Sequence, residues 1–315
     1  MATRCLAALL ALPLLACGSD SLPSTSSGCP SVTCDGGSLS DGGEPTGTTI
    51  TTTLGTTLGT SGVDSTATSS PDSATITDGS SETTGPFVEP SSARHTPRPL
   101  GETTSPQGYW EYLPPDYEQS SDHPLMVYLH GIGANGNGTT QLDRVLINGP
   151  AKLIDDDQWP YERPFVVLSP QHAGSGCTTV AEIQSFLAYA IDAYAIDPDR
   201  VHLTGISCGA IGAWDYLGNY FVDQITSAVL IAGDGRGALA YAGCALGQVP
   251  IWAFHGEDDE VVEPQGTIEP IEALLACEPT PDVQMTIYPG VRHESWHRVY
   301  DLSAGDDIYS WMLAH

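Results

Sequence analysis

The stretch "VHLTGISCGAIGAWDYL", residues 201–217, decides how this chain is read. Val201-His202-Leu203-Thr204 has the texture of a buried strand, and the residues from Ala210 onward have that of a helix. Between them stands Gly205-Ile206-Ser207-Cys208-Gly209, a G-x-S-x-G pattern. Small residues two before and two after the serine let a strand pass into a helix through a very tight turn. That turn pushes the serine hydroxyl out at the carboxyl end of the strand. Five residues alone match often by chance. With a strand before and a helix after, they predict a nucleophile at Ser207.

A serine hydroxyl needs a base to take its proton and a carboxylate to orient that base. Downstream, "VPIWAFHGEDDEVVEP" (249–264) reads as a strand entering an acidic loop, and "MTIYPGVRHESW" (285–296) as a strand entering a turn and a histidine. Each follows a strand, so each can reach the same edge of a sheet. His293 is the expected base, with Asp258 and Asp259 competing for the acid. An oxyanion needs two aimed donors. "YLHGIGANGNG" (128–138) also follows a strand, and its glycines let the backbone turn beneath a substrate. The backbone N–H groups of Ile132 and Cys208 are the expected donors. The Cys208 side chain is read as a small packed residue and His130 as a loop-ordering one. Gln171, at the end of "LSPQ", and Trp296 are expected to line the substrate pocket.

One motif competes. His293-Glu294-Ser295-Trp296-His297 matches H-E-x-x-H, which binds zinc when both histidines lie one turn apart on a formed helix. Here Pro289-Gly290 comes just before His293, so the first histidine belongs to a turn. Only a short closing segment remains to supply a third ligand. The expected site therefore contains no metal, and no organic cofactor is needed.

The remaining chain reads as alternation. "GYWEYLP", "PLMVYLH", "PFVVLSP", "SAVLIAG", "VPIWAFHG" and "VQMTIYPG" are strand-like. "TTVAEIQSFLAYAIDAYA", "IEPIEALLAC" and the segment toward "DIYSWMLAH" are helix-like. Such alternation predicts an α/β fold with a mostly parallel central sheet flanked by helices, and a site at the strands' carboxyl ends.

The runs "DPDRVHLTGISCGAIGAWDYL", "IWAFHGEDDEVV" and "YPGVRHESW" resemble bacterial α/β-hydrolases of the carboxylesterase, predicted-peptidase, feruloyl-esterase-like and polyhydroxybutyrate-depolymerase-like group. The resemblance spans roughly Gly108 to the C-terminus. It implies the α/β-hydrolase fold, the chain order serine, acid, histidine, and hydrolysis of carboxylic esters. The group's H-G-x-x-D-x-x-V pattern puts the acid at Asp259. Two departures stand out. The group usually has Met or Ala after the serine and Gly-Gly next, where this chain has Cys208 and Gly209-Ala210.

The N-terminus differs from the rest. "MATRCLAALLALPLLACGSD" has one basic residue, a short apolar run and a lipobox-like "LLAC". That predicts an export signal over 1–16 and lipidation of Cys17, with the membrane reached through the lipid. A Ser/Thr/Gly-rich segment, 17–95, lacks the apolar residues to offset its ordering entropy and reads as a disordered tether. The catalytic domain is expected over 96–315, exported as a cell-envelope lipoprotein or a secreted protein. The chain carries 39 acids against 10 bases, one of them lysine (Lys152), for a net charge of −29. That field repels nucleic acid and polyanions and favours neutral or cationic substrates. Beyond Cys5 and Cys17, six cysteines remain, an even number suited to disulfides in an exported protein. Cys29–Cys34 and Cys244–Cys277 are the expected pairs, while Cys177 and Cys208 are left as thiols or a pair. The expected activity is a serine hydrolase cleaving small-molecule or polymer-linked esters. A serine peptidase with the same residues and a catalytically inactive binding lipoprotein are the alternatives.

Overall fold

The computed structural model describes residues 88–220 and 224–315. The expected leader, Cys17, most of the 17–95 tether and the Cys29–Cys34 pair lie outside the described residues. Within them, strands β1 (His95–Arg98), β2 (Tyr109–Tyr112), β3 (His123–Leu129), β4 (Val166–Pro170), β5 (Ile196–Ile206), β6 (Ser227–Ile231), β7 (Ile251–Gly256) and β8 (Val283–Tyr288) form one sheet. Its order is β1-β2-β4-β3-β5-β6-β7-β8. β1 and β2 pair antiparallel, as do β2 and β4, and every other neighbouring pair is parallel. The helices are α1 (Gly149–Asp155), α2 (Val180–Ala193), α3 (Cys208–Tyr220), α4 (Arg236–Ala242), α5 (Gln265–Leu275), α6 (Trp296–Tyr300) and α7 (Ile308–Leu313).

The central strands are apolar throughout because both of their faces are covered. β3 shows this residue by residue. Leu125, Val127 and Leu129 join a cluster with Phe186, Leu187, Trp214 and Leu217, from α2 and α3. Met126 and Tyr128 point the other way, into a cluster with Phe165, Tyr300 and Met312. Each fully buried side chain of this size contributes about 1.5–3 kcal/mol. Two layers of helix over one sheet thus follow from the apolar runs. α2 starts where the sequence says it should. The Thr179 hydroxyl accepts from the Glu182 N–H while the Glu182 carboxylate accepts from the Thr179 N–H, a reciprocal cap.

Four short elements escaped the sequence reading: β1, α1, α4 and α6. None is long enough to show a period. β1 is an edge strand, which is why it tolerates Pro97. Ordered contacts also begin slightly earlier than residue 96. The Ser91 hydroxyl donates to the Ile154 carbonyl at 2.8 Å, and Arg94 pairs with Glu89 at 2.6 Å. The first ties the end of the expected tether to the domain, the second is a pair within that end, and neither carries a hydrophobic pattern.

Candidate active site

Ser207 stands between β5 and α3 with φ +50°, in the left-handed region that costs a non-glycine residue on the order of 1–3 kcal/mol. The surroundings hold it there. Its N–H donates to the Ile231 carbonyl at 2.8 Å, and its carbonyl accepts from the Ile211 N–H at 2.9 Å. Two glycines make the turn possible. A Cβ on Gly205 would come within 2.7 Å of the Gly209 backbone, and one on Gly209 would sit on the Leu129 carbonyl oxygen.

The loops after β7 and β8 bring two more groups to this point. His293 Nε2 is 2.8 Å from the Ser207 Oγ, and His293 Nδ1 is 2.7 Å from Asp259 Oδ2. An ionised carboxylate can only accept, so Nδ1 carries the proton and Nε2 offers its lone pair to the serine hydroxyl. Asp259 is buried and fully engaged. Its Oδ1 accepts from the N–H groups of Val261 (2.8 Å) and Val262 (3.0 Å), and its Oδ2 also faces His255 Nε2 at 3.0 Å. Burial pushes the Asp259 carboxyl up, but the hydrogen bonds from His293 and from Val262 and Val261 outweigh it. The net result lies below the ordinary carboxylate range. Asp258, the competing acid, is exposed.

His255 was not assigned a role from sequence. It is fully buried, with Nδ1 2.8 Å from the Thr267 hydroxyl and Nε2 also 3.0 Å from the Val262 carbonyl. Two acceptors facing Nε2 place its proton there, so His255 is a neutral donor to Asp259. Burial lowers its pKa, which keeps it neutral. The spacing of His255 four residues before Asp259 is visible in the sequence, but nothing in it shows which way the ring points.

The H-E-x-x-H residues do not act as a unit. His293 precedes α6, and both its ring nitrogens face Ser207 and Asp259, while His297 is exposed on α6. Among the described residues, no group of three or more His, Cys, Asp or Glu is placed to hold a metal ion.

Ile132 opens a short 3-10 turn three residues after β3, and Cys208 opens α3. In a first helical turn the N–H groups lack an intrahelical acceptor, which leaves them free to face a substrate oxygen. A cavity of about 270 Å³ lies here, lined among others by Ile132, Ile147, Asn148, Ser207, His293 and Trp296. Trp296 packs edge-on against His293 at 5.2 Å, and its Nε1 donates to Asn148 Oδ1 at 3.1 Å. Ile147 and Asn148 were not anticipated, because they lie in a segment with no strand or motif to mark it.

One expectation is corrected here. Gln171 does not line the cavity. It is buried beneath the loop after β3, where its Oε1 accepts from the Gly138 N–H (2.8 Å) and its Nε2 donates to the carbonyls of Ala134 (3.0 Å) and Gln141 (2.7 Å). A buried amide with three backbone partners in reach is held by them and cannot turn toward a ligand. Of the two alternatives left for Cys177 and Cys208, thiols or a pair, the structure has the pair. The Cys244–Cys277 pair forms as expected. His130 does order its loop: its Nε2 accepts from the His172 N–H at 3.0 Å, leaving Nδ1–H to donate to the Gly131 carbonyl at 2.8 Å.

No family model and no curated protein matches the chain. Solved structures do. A thermostable esterase matches with TM-score 0.52 and 22% identity, over 70% of this chain and 62% of that one. The feruloyl esterase module from Clostridium thermocellum, an S954A mutant complexed with sinapinate, matches with TM-score 0.50 and 17% identity, over 69% and 85%. Dipeptidyl peptidase 4 from Porphyromonas gingivalis matches with TM-score 0.50 and 16% identity, over 70% of this chain and 35% of that one. The chain thus spans less than two thirds of the esterase and about a third of the peptidase. Sheet order, the strand-to-helix turn at Ser207 and these likenesses agree that the described domain has the α/β-hydrolase fold.

Proposed function

We propose that the domain is a serine hydrolase that cleaves carboxylic esters through an acyl-enzyme intermediate. The observation that carries the reading is the chain of two hydrogen bonds, Ser207 to His293 at 2.8 Å and His293 to Asp259 at 2.7 Å, beside an open cavity. In this mechanism His293 Nε2 takes the Ser207 proton as Oγ attacks the ester carbonyl. Asp259 holds the ring in the correct tautomer and stabilises the imidazolium. The N–H groups of Ile132 and Cys208 receive the oxyanion. His293 then gives its proton to the leaving alcohol. In the second half-reaction it takes a proton from water, which attacks the acyl-enzyme and frees the acid and Ser207.

The lining of the cavity favours a neutral ester. Ile132 and Ile147 present apolar surface, and the chain's net charge of −29 disfavours anionic substrates. In the same reading the protein is exported and anchored through Cys17, with 1–16 as signal, 17–95 as tether and 96–315 as the catalytic domain. Two disulfides in one domain support an oxidising compartment. Metabolic labelling with a radioactive fatty acid tests the anchor, with Cys17→Ala expected to lose the label.

The catalytic reading is tested by fluorophosphonate labelling of the full chain, with and without chelator, followed by peptide mapping. Label on Ser207 that survives chelation is expected, together with turnover of short-chain aryl esters over peptide anilides. A folded wild-type protein that takes no label would overturn the reading. Faster cleavage of the peptide substrates would replace the esterase by a peptidase.

A further inference from the structure

The loop 171–178, between β4 and α2, is bonded to both segments that carry the amides assigned to the oxyanion. On one side it holds the loop that carries Ile132. The His172 N–H donates to His130 Nε2, the Gly136 N–H donates to the His172 carbonyl at 3.0 Å, and Asn135 Nδ2 donates to the carbonyls of Gly174 (3.1 Å) and Gly176 (2.9 Å). On the other side Cys177 is bonded to Cys208, the residue after Ser207. The two sides differ in rigidity. Cys208 starts a helix that is packed against β3 through Gly209 and is buried. Ile132 sits in a three-residue turn and is 57% exposed. Between them, Gly174 and Gly176 have φ of +136° and +102°, and Ala173 to Ser175 are exposed. Ala173 to Ser175 thus have little packing of their own, while the loop's ends are buried at Gln171, His172 and Thr178, with His172 Nδ1 2.9 Å from Glu182 Oε1.

We propose that the Cys177–Cys208 disulfide is a positioning device of the active site. It anchors loop 171–178 to the rigid Ser207 turn, and that loop in turn fixes the Ile132 amide relative to the Cys208 amide. The inference rests on the serine-hydrolase reading and adds to it a residue pair that never touches substrate through its side chains. Its physical content is preorganisation. Two donors act on a developing oxyanion only if their spacing is set before the reaction, and loss of one donor typically costs about 100- to 1,000-fold in kcat. A donor that is loosened rather than lost costs less, and it costs it in kcat rather than in ground-state binding.

The test is steady-state hydrolysis of p-nitrophenyl acetate by the full chain, comparing wild type, Cys177→Ala/Cys208→Ala and Cys244→Ala/Cys277→Ala. Wild type must first turn over the ester and take fluorophosphonate on Ser207; if it does neither, the serine-hydrolase reading fails and this inference with it. Given that activity, Cys177→Ala/Cys208→Ala is expected to lose about 10- to 100-fold in kcat with KM changed less than about threefold. Cys244→Ala/Cys277→Ala is expected to keep kcat within about twofold, since it removes a bond of the same kind far from the site. Should the first variant not fold, Cys244→Ala/Cys277→Ala protein is reduced with dithiothreitol under native conditions, and circular dichroism is followed alongside kcat. A reversible fall in kcat with the fold retained supports the proposal. Unchanged kcat in folded protein overturns it, and so does unfolding in both formats, which would assign the bond to global stability.

Discussion

The two disulfides make a natural comparison. They close chain segments of almost equal length, with sequence separations of 31 and 33. In a chain-entropy account each therefore stabilises the folded domain by a similar amount, about 4 kcal/mol. Their places in the sheet are opposite. Cys177 and Cys208 follow the carboxyl ends of β4 and β5, the edge where Ser207, Asp259 and His293 meet. Cys244 and Cys277 precede β7 and β8, at the amino edge, between a 3-10 segment (Gly243–Gln248) and the end of α5. What a cross-link does is decided by what its two ends are attached to. In an open α/β sheet ligand sites lie at the strands' carboxyl ends, so of two cross-links of similar stabilising effect only Cys177–Cys208 ends at that edge.

Substitutions test that contrast. The largest effect belongs to the carboxyl edge. Ser207→Ala is expected to lower kcat by about a million-fold while leaving the melting temperature within a few degrees. Ester turnover and calorimetry on the same sample check both halves. Asp259→Asn comes next, with a loss of about 10,000-fold, because an amide at that position no longer enforces the Nδ1–H tautomer of His293. A pH-rate profile and kcat measurement would show it, and a loss below tenfold would mean that Asp259 does not orient the base.

At the amino edge the pattern should invert. Cys244→Ala/Cys277→Ala is expected to lower the melting temperature by about 7–15 °C with kcat nearly unchanged. A fall in kcat comparable to that of Cys177→Ala/Cys208→Ala would erase the distinction between the two edges. The smallest effect concerns His202, buried in β5 with Nδ1 against the Ser227 hydroxyl at 2.8 Å. Burial pushes its pKa down to about 4 from 6.5, with smaller contributions of the same sign from Arg200 and His315. Between those two values the unfolded chain binds a proton that the native state refuses, so native stability falls as pH falls through this window. His202→Asn should lessen the drop in melting temperature between pH 7 and pH 5 by a few degrees, without altering kcat. An unchanged drop would mean that His202 does not contribute to acid sensitivity.

Much of the carboxyl edge is legible in the order of residues along the chain. The strand-to-helix reading around Ser207 is borne out by β5 and α3, and the apolar runs at 124–130, 164–170 and 249–256 each contain a strand. The reason is local: such runs and tight glycine turns follow from steric and hydrophobic constraints on neighbouring residues. Gln171 is legible only as a strand-end residue. Whether its amide faces a cavity or the loop of Gly138 and Ala134 depends on a segment some thirty residues away in sequence. His255 escaped for the same reason, and the choice between thiols and a pair at Cys177 and Cys208 stayed open.

The sequence by itself determined the α/β order of elements, the strained position of Ser207 and the arrival of Asp259 and His293 at strand ends. All of these depend on spacing along the chain. Tertiary structure alone set Asp259 rather than Asp258 against His293, gave Asp259 a second histidine partner in His255, and joined Cys208 to Cys177. Those outcomes depend on side-chain direction and on distances between segments far apart in sequence, which a one-dimensional pattern does not encode.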